Sequence, residues 1–340
     1  MEGNILGIPI TLVSGFLGAG KTTLINQVLS ETKVNKNEII IIENEFGEIG
    51  IDHDFLIHTD DKVFQLNNGC MCCIMQSDIE ETFRSIVEEF IKKGNTIKKV
   101  IIETTGIADP ISIIRKITTS NYISLYFYID TVITIVDAKN FSNYKERFTE
   151  VGKQIVAADQ LIISKYQKDN RIQSQMVEVI KTINPFAKIK YFLLDGYFSS
   201  SDFFDQELFN RFPYLIEDEF NTNDSKLKFS PKYDNLETLN PLHDFIAINL
   251  KVTTKYTKKL WTLWLEWLCM NYGENLYRYK GILVCRDIED DLYLQGVCQT
   301  YDLTHSSKRY KENFSKIVII GKDLPRKEIE YSLVELGKFM

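Results

Sequence analysis

The most specific chemistry in the sequence lies in Gly15-Phe16-Leu17-Gly18-Ala19-Gly20-Lys21-Thr22-Thr23. This run fits G-x-x-x-x-G-K-[ST], a loop whose backbone N–H groups cradle phosphate oxygens at a helix N-terminus. The context is the required one, with strand Ile8–Val13 before it and helix Lys21–Ser30 after it. Lys21 would bring positive charge to the β- and γ-phosphate oxygens, and the Thr22 hydroxyl is placed to coordinate Mg2+. Gly15, Gly18, Ala19, Gly20 and Thr23 complete the expected nucleotide contacts. An ordinary glycine turn would have no need of Lys-Thr at this spacing.

A second acidic element follows about 80 residues on, in Val100-Ile101-Ile102-Glu103-Thr104-Thr105-Gly106. Glu103 ends an apolar strand and would act near Mg2+, directly or through water. The Gly106 N–H is expected to sense the γ-phosphate and report its loss. Between these elements stands Gly69-Cys70-Met71-Cys72-Cys73, three thiols in a chain with only six Cys and four His. Three local thiolates suit a borderline cation such as Zn2+ and leave one tetrahedral position open, which favours transfer over permanent binding. Buried structural cysteines and a redox pair or cluster site are the competing readings. Acids crowd the segment Glu43-Asn44-Glu45-Phe46-Gly47-Glu48-Ile49-Gly50-Ile51-Asp52. Glu43 and Glu48 are candidate metal ligands beside the thiolates, and Asp52 a candidate at Mg2+ or the attacking water. A solvated acidic turn is the plain alternative.

The elements that must position these groups alternate along the first half. Strands are expected at Ile8–Val13, Ile39–Glu43, Lys62–Leu66, Val100–Glu103, Val132–Asp137 and Leu161–Ser164. Helices are expected at Lys21–Ser30, Ser77–Lys93, Phe141–Ala157 and Arg171–Ile183. Continuous apolar strands alternating with amphipathic helices predict an α/β domain, a parallel sheet flanked by helices, over residues 1–195. Residues 196–242 read as a loop-rich linker. Residues 243–340 predict a small α+β domain of order β-α-β-β-β-α, with strands Phe245–Val252, Leu276–Cys285, Asp291–Cys298 and Lys316–Gly321. Its helices are expected at Tyr256–Tyr272 and Pro325–Leu336, the first with Trp261, Trp264, Trp267, Leu260, Leu263 and Leu268 as a core face. Cys269, Cys285 and Cys298 read as core residues.

With 340 residues, 44% apolar and 26% charged, the composition excludes a largely disordered chain. The net charge of −7 argues against a nucleic-acid partner. No membrane span is expected, because the most apolar stretch, Tyr122–Ala138, is broken by Asp130 and Asp137 and reads as one or two buried strands. The cysteine usage and the lack of a basic leader predict a cytoplasmic protein.

Taken together, the motifs resemble the CobW-like metallochaperone GTPases, kin of the nickel-inserting GTPases of urease and hydrogenase maturation. The matching pieces are 15–24 (GFLGAGKTTL), 43–52 (ENEFGEIGID), 69–73 (GCMCC) and 103–110 (ETTGIADP). In the second domain they are Tyr279-Lys280-Gly281-Ile282-Leu283, Leu294-Gln295-Gly296-Val297 and Ile319-Ile320-Gly321-Lys322-Asp323-Leu324. The resemblance implies a P-loop NTPase that couples GTP hydrolysis to metal delivery, with Cys70, Cys72 and Cys73 as zinc ligands and a client metalloprotein as partner.

Two departures stand out. The family reads guanine with Asn-Lys-x-Asp, where the Asp carboxylate accepts from the base. Here Ser164-Lys165-Tyr166-Gln167 follows the strand. Lys165 remains to pack along the base, while Gln167 offers a single neutral acceptor, so guanine preference should weaken; Asp169 is the nearest acid that could replace it. The His-rich linker of many relatives is missing too, since that region holds only His243; His53 and His58 are secondary ligand candidates. Three functions stay open on sequence grounds: a GTP-hydrolysing zinc chaperone, a P-loop kinase for a small molecule, and a nucleotide-regulated zinc sensor or store. ATP as the nucleotide and the oligomeric state are open as well.

Overall fold

The structure, a computed structural model, describes residues 7–43, 63–65, 77–145, 147–167, 170–192, 198–210, 245–306 and 313–339. Its first unit is a parallel sheet built from β1 (Ile8–Gly15), β2 (Ile39–Glu43), β3 (Val63–Gln65), β4 (Lys99–Glu103), β5 (Phe127–Asp137), β6 (Gln160–Ser164) and β7 (Lys188–Phe192). The order across the sheet is β3-β2-β4-β1-β5-β6-β7, and every described pairing is parallel. Strands buried on both faces explain the β-branched, largely apolar runs, for example Ile39–Ile42 and Val132–Val136, where Thr134 is the one polar residue. The helices are α1 (Lys21–Glu31), α2 (Ser77–Ile86), α3 (Pro110–Thr119), α4 (Asn121–Ser124), α5 (Phe141–Lys145), α6 (Thr149–Ala157) and α7 (Arg171–Ile183). Because the strands are parallel, β1, β2, β4, β5 and β6 all end at one edge, the usual place for a ligand in such sheets.

The second unit comprises β8 (Phe245–Val252), α8 (Lys258–Tyr272), β9 (Leu276–Leu283), β10 (Leu292–Val297), β11 (Thr300–His305), β12 (Ser315–Lys322) and α9 (Arg326–Leu336). Its antiparallel sheet has the order β11-β10-β9-β12-β8. Strand β12 shows why both sheet faces are apolar. Ile317 and Ile319 pack with Trp261, Trp264 and Leu265 of α8, while Val318 and Ile320 join the core of the first unit. The period-2 alternation of a strand thus sends one set of side chains to each neighbour.

Charge reinforces that junction. Asp159, which precedes β6, meets Arg278 and Lys280 of β9, and all three side chains are buried. Arg278 also donates to the Ala157 carbonyl at 3.3 Å, and Lys280 to the Leu208 carbonyl at 3.0 Å. Burial first, then the neighbouring Arg278 charge, lowers the Lys280 pKa to about 7, against the pull of Asp159.

The structure departs from the sequence expectations in several places. The helix expected over Ser77–Lys93 is α-helical to Ile86 and becomes a π-turn at Val87–Ile91, which keeps Val87 buried beside Ile86. The helix expected over Phe141–Ala157 is two, broken where Phe148 is extended at φ −132° and ψ 112°. The break sets the Tyr144 and Phe148 rings 4.5 and 4.8 Å from Phe16. The stretch from Tyr122 begins as helix α4, and only Phe127–Asp137 is strand. Strand β11 extends the second unit to β-α-β-β-β-β-α; its largely exposed, polar TYDLTH carries little apolar signal. Residues 198–210, expected in the linker, pack on the first unit through Phe198, Phe203, Phe204 and Phe209. Trp261 and Trp264 are buried, but Leu263 is 48% exposed and lies outside the core face assigned to it. Cys269, Cys285 and Cys298 are buried, as read.

Candidate nucleotide site

The site is built at the carboxyl edge of the sheet. Strand β1 passes through Gly15 at φ +141°, where a Cβ would lie 2.4 Å from the Ile135 carbonyl oxygen of β5. Only glycine lets the chain turn there into the loop that ends in α1. The Lys21 ammonium lies within its own loop, donating to the Gly15 carbonyl at 2.9 Å, so a phosphate oxygen can exchange for that acceptor. Ala19 is buried, Gly20 caps α1, and Thr23 is exposed on its first turn.

Thr22 and Glu103, far apart in sequence, are in contact: the Thr22 Oγ1 hydroxyl donates to Glu103 Oε1 at 2.9 Å. Glu43 is buried one strand away, paired in register with Glu103. Hydroxyl and carboxylate oxygens are the donor set for a hard cation that keeps most of its other sites for water and phosphate, so Thr22 and Glu103 fit Mg2+. Among the described residues no cluster of three or more His, Cys, Asp or Glu is gathered to hold a metal. Glu48, Asp52, Cys70, Cys72 and Cys73, with His53, His58 and Asp169, lie outside the described residues. Gln65 at the end of β3 pairs in register with Glu43, so β3 ends at the same edge.

Gly106 lies directly on the phosphate loop. A Cβ there would stand 2.5 Å from the Leu17 nitrogen, so this contact also requires glycine. Two residues missed by the sequence reading hold the loop that follows. Buried Gln154 of α6 donates to the Gly106 carbonyl at 3.0 Å and the Ala108 carbonyl at 3.3 Å. Lys153 pairs with Asp109 at 2.8 Å, and Asp109 caps α3 through the Ile111 N–H. Burial works against the Lys153 charge, yet the Asp109 carboxylate outweighs it and holds the pKa above its ordinary value.

At the end of β6, Ser164 donates to the Ala19 carbonyl at 2.7 Å. Lys165 is left-handed at φ 54° and reaches both the Gly18 carbonyl and Asp137, each at 2.8 Å. Burial pushes the Asp137 carboxyl up, but hydrogen bonds from Lys165 and Asn140 prevail and lower its pKa. Asp137 was also missed, although an acid closing the strand Val132–Asp137 was visible. Gln167 is exposed, its N–H donating to the Gln173 side chain at 2.6 Å. Ser164 and Lys165 therefore keep the loop after β6 on the phosphate loop, while position 167 presents a neutral amide.

Residues 9–190 match the family described as CobW/HypB/UreG, nucleotide-binding domain, and residues 247–336 match the cobalamin synthesis protein CobW C-terminal domain. The chain belongs to the CobW/HypB/UreG family. It is a P-loop nucleoside triphosphatase with an appended CobW C-terminal domain. The zinc chaperone YjiA of Escherichia coli is 28% identical over 97% of this chain and 99% of its own. The zinc-regulated GTPase metalloprotein activator 1 of Schizosaccharomyces pombe is 26% identical over 94% of this chain and 83% of its own. The crystal structure of Zn(II)-bound YjiA GTPase matches with a TM-score of 0.71 at 23% identity, covering 97% of this chain and 99% of that one, a likeness of fold. No helix among the described residues is long and apolar enough to cross a membrane.

Proposed function

We propose that this CobW-family protein is a cytoplasmic, GTP-hydrolysing chaperone that binds zinc through Cys70, Cys72 and Cys73 and delivers it to a client metalloprotein. The observation that carries the reading is the convergence at one sheet edge. Thr22 bonds to Glu103, Glu43 lies in register beside it, and β3, the strand that precedes the cysteines in sequence, ends at that same edge. The zinc chaperone YjiA and the zinc-regulated GTPase metalloprotein activator 1 among the relatives support the choice of cargo. A small-molecule kinase would have no use for the three thiols.

Lys21 supplies fixed positive charge to the phosphates, and Thr22 and Glu103 would hold Mg2+. When bound, that ion would supply positive charge to the phosphates. Gly106, already against the phosphate loop, is placed to respond to the γ-phosphate, and Glu43 lies next to the segment that contains Glu48 and Asp52. Movement of that segment on γ-phosphate loss would change the distances among the zinc ligands, so nucleotide state would set zinc affinity.

The experiment is calorimetric titration of Zn2+ into nucleotide-free, GDP-bound and non-hydrolysable-GTP-bound protein, repeated with Cys70→Ser, Cys72→Ser and Cys73→Ser. A coupling of about 1–3 kcal/mol is expected, and by linkage Zn2+ must change GTP affinity by the same factor. Equal Zn2+ affinity in all three states, or coupling that survives loss of the three thiols, would overturn this reading.

A further inference from the structure

We propose that Gln154 is a positioning residue for nucleotide hydrolysis: from helix α6 its amide holds the Gly106–Ala108 loop against the phosphate loop, while the same helix rests on the C-terminal sheet. The inference depends on the reading above that the Gly106 loop responds to the γ-phosphate. Gln154 is only 1% exposed, and its helix neighbours Val151 and Ile155 are apolar core residues. A buried amide is costly unless its hydrogen bonds are made, and a leucine would fill such a place more cheaply. The amide is spent on the loop instead, donating to the Gly106 and Ala108 carbonyls.

The preceding residue on α6 secures the far end of the same loop, through the Lys153–Asp109 pair. Gly106 has little freedom on its other side, where the Leu17 backbone would stand 2.5 Å from any Cβ. The loop is thus clamped between helix and phosphate loop, and a shift of α6 must shift Gly106 relative to the phosphates. The helix itself is anchored to β5, where Thr134 Oγ1 donates to the Gln154 carbonyl at 2.7 Å. It is anchored to the second domain at two points. Gly152 faces the Phe245 ring so closely that a Cβ would lie 2.4 Å from a ring carbon, and Arg278 donates to the Ala157 carbonyl. Movement of the C-terminal sheet therefore has a short mechanical route to Gly106.

The test uses the full chain with Gln154→Met, which keeps length and removes the donor, and Gln154→Glu, which sets a carboxylate against two carbonyls. Misplacing a reacting geometry by about 1 Å can cost up to about 100-fold. We therefore expect kcat for GTP to fall by about tenfold in Gln154→Met and further in Gln154→Glu, with KM and GDP affinity within about twofold of wild type. Hydrogen exchange of residues 104–109 should quicken in both variants, while exchange in β1 stays as in wild type. Gly152→Ala, which touches no loop residue but displaces Phe245, should lower kcat in the same way by a smaller factor. An unchanged kcat or unchanged loop exchange in Gln154→Met would overturn the proposal. So would a parallel fall of kcat, GDP affinity and melting temperature, the signature of a residue that merely holds the fold. If the wild type released no phosphate from GTP or ATP, the proposed function would fail on its own account. The exchange measurement would still decide whether Gln154 holds the loop.

Discussion

Strand β6 carries charge at both of its ends, and the two ends are put to opposite uses. Beyond Ser164, Lys165 joins Asp137 and the Gly18 carbonyl at the open sheet edge, beside the phosphate loop. Before Gln160, Asp159 is sealed between the two domains with Arg278 and Lys280, each side chain at most 3% exposed. At the open edge each cation rests on acceptors that a ligand can replace. At the sealed end one buried carboxylate serves two buried cations across the two domains, so pairing there bears on stability. Removing a partner should therefore cost activity at one end and stability at the other.

The largest effect is expected at the sealed end. Asp159→Ala leaves two buried cations without their carboxylate and should destabilise the protein by about 3–5 kcal/mol, measured by urea unfolding. Lys280→Met should be neutral or stabilising, because it removes the charge in excess. Equal losses from both variants would mean that the cluster is not governed by its unequal pairing.

At the open edge, Lys21→Ala should lower kcat for nucleotide hydrolysis by about 100- to 1,000-fold, the scale of losing one preorganised charge at the reacting phosphate. Its unfolding midpoint should stay near that of wild type. Near-wild-type phosphate release would remove this loop from the chemistry.

A smaller change is expected on the base side. Gln167→Asp with Ser164→Asn should favour GTP over ATP by a further 1–3 kcal/mol or so, since a carboxylate accepts two base N–H groups more strongly than an amide. Competitive binding of the two nucleotides gives the answer. Unchanged discrimination would show that position 167 does not read the base.

The smallest effect returns to the sealed end and sharpens the contrast. The Lys280 pKa is lowered to about 7 in the folded protein, below that of an unfolded lysine. Between those values the unfolded chain binds more protons, so this group's contribution to stability rises with pH, by about 1 kcal/mol from pH 7 to pH 8. Urea midpoints across that range should show the rise in wild type and lose it in Lys280→Met. No such rise in wild type would mean that the ammonium stays charged in the folded state.

Legibility in the sequence followed the range of the interactions. The phosphate loop, its strand and its helix were readable because they are contiguous and the chemistry demands particular residue types at fixed spacing. Strand β2 and helix α7 carry the predicted bounds, since an all-Ile run and an Asn170 cap are local signals. Helix α3 was not among the expected helices, although the Asp109 cap and Pro110 in its first turn mark its start. Strand β7, Lys188–Phe192, was missed because an edge strand of alternating Lys and apolar residues carries little apolar signal.

From residue types and spacing alone the chain was committed to a parallel sheet with a nucleotide loop at its carboxyl edge and to a second, smaller domain. Those are consequences of local periodicity and of a motif whose atoms lie within one turn. The tertiary structure decided what required distant partners. Thr22 meets Glu103, and Lys165 chooses Gly18 and Asp137. Gln154 looks like any polar residue on an amphipathic helix until the Gly106 and Ala108 carbonyls are seen opposite it. Arg278 and Lys280 lie in a strand whose sequence names no partner for them, and only the first domain, covering them, brings Asp159 to both. A hydrogen bond or ion pair is specified by position in space, and sequence distance carries no trace of it when the two partners belong to different elements.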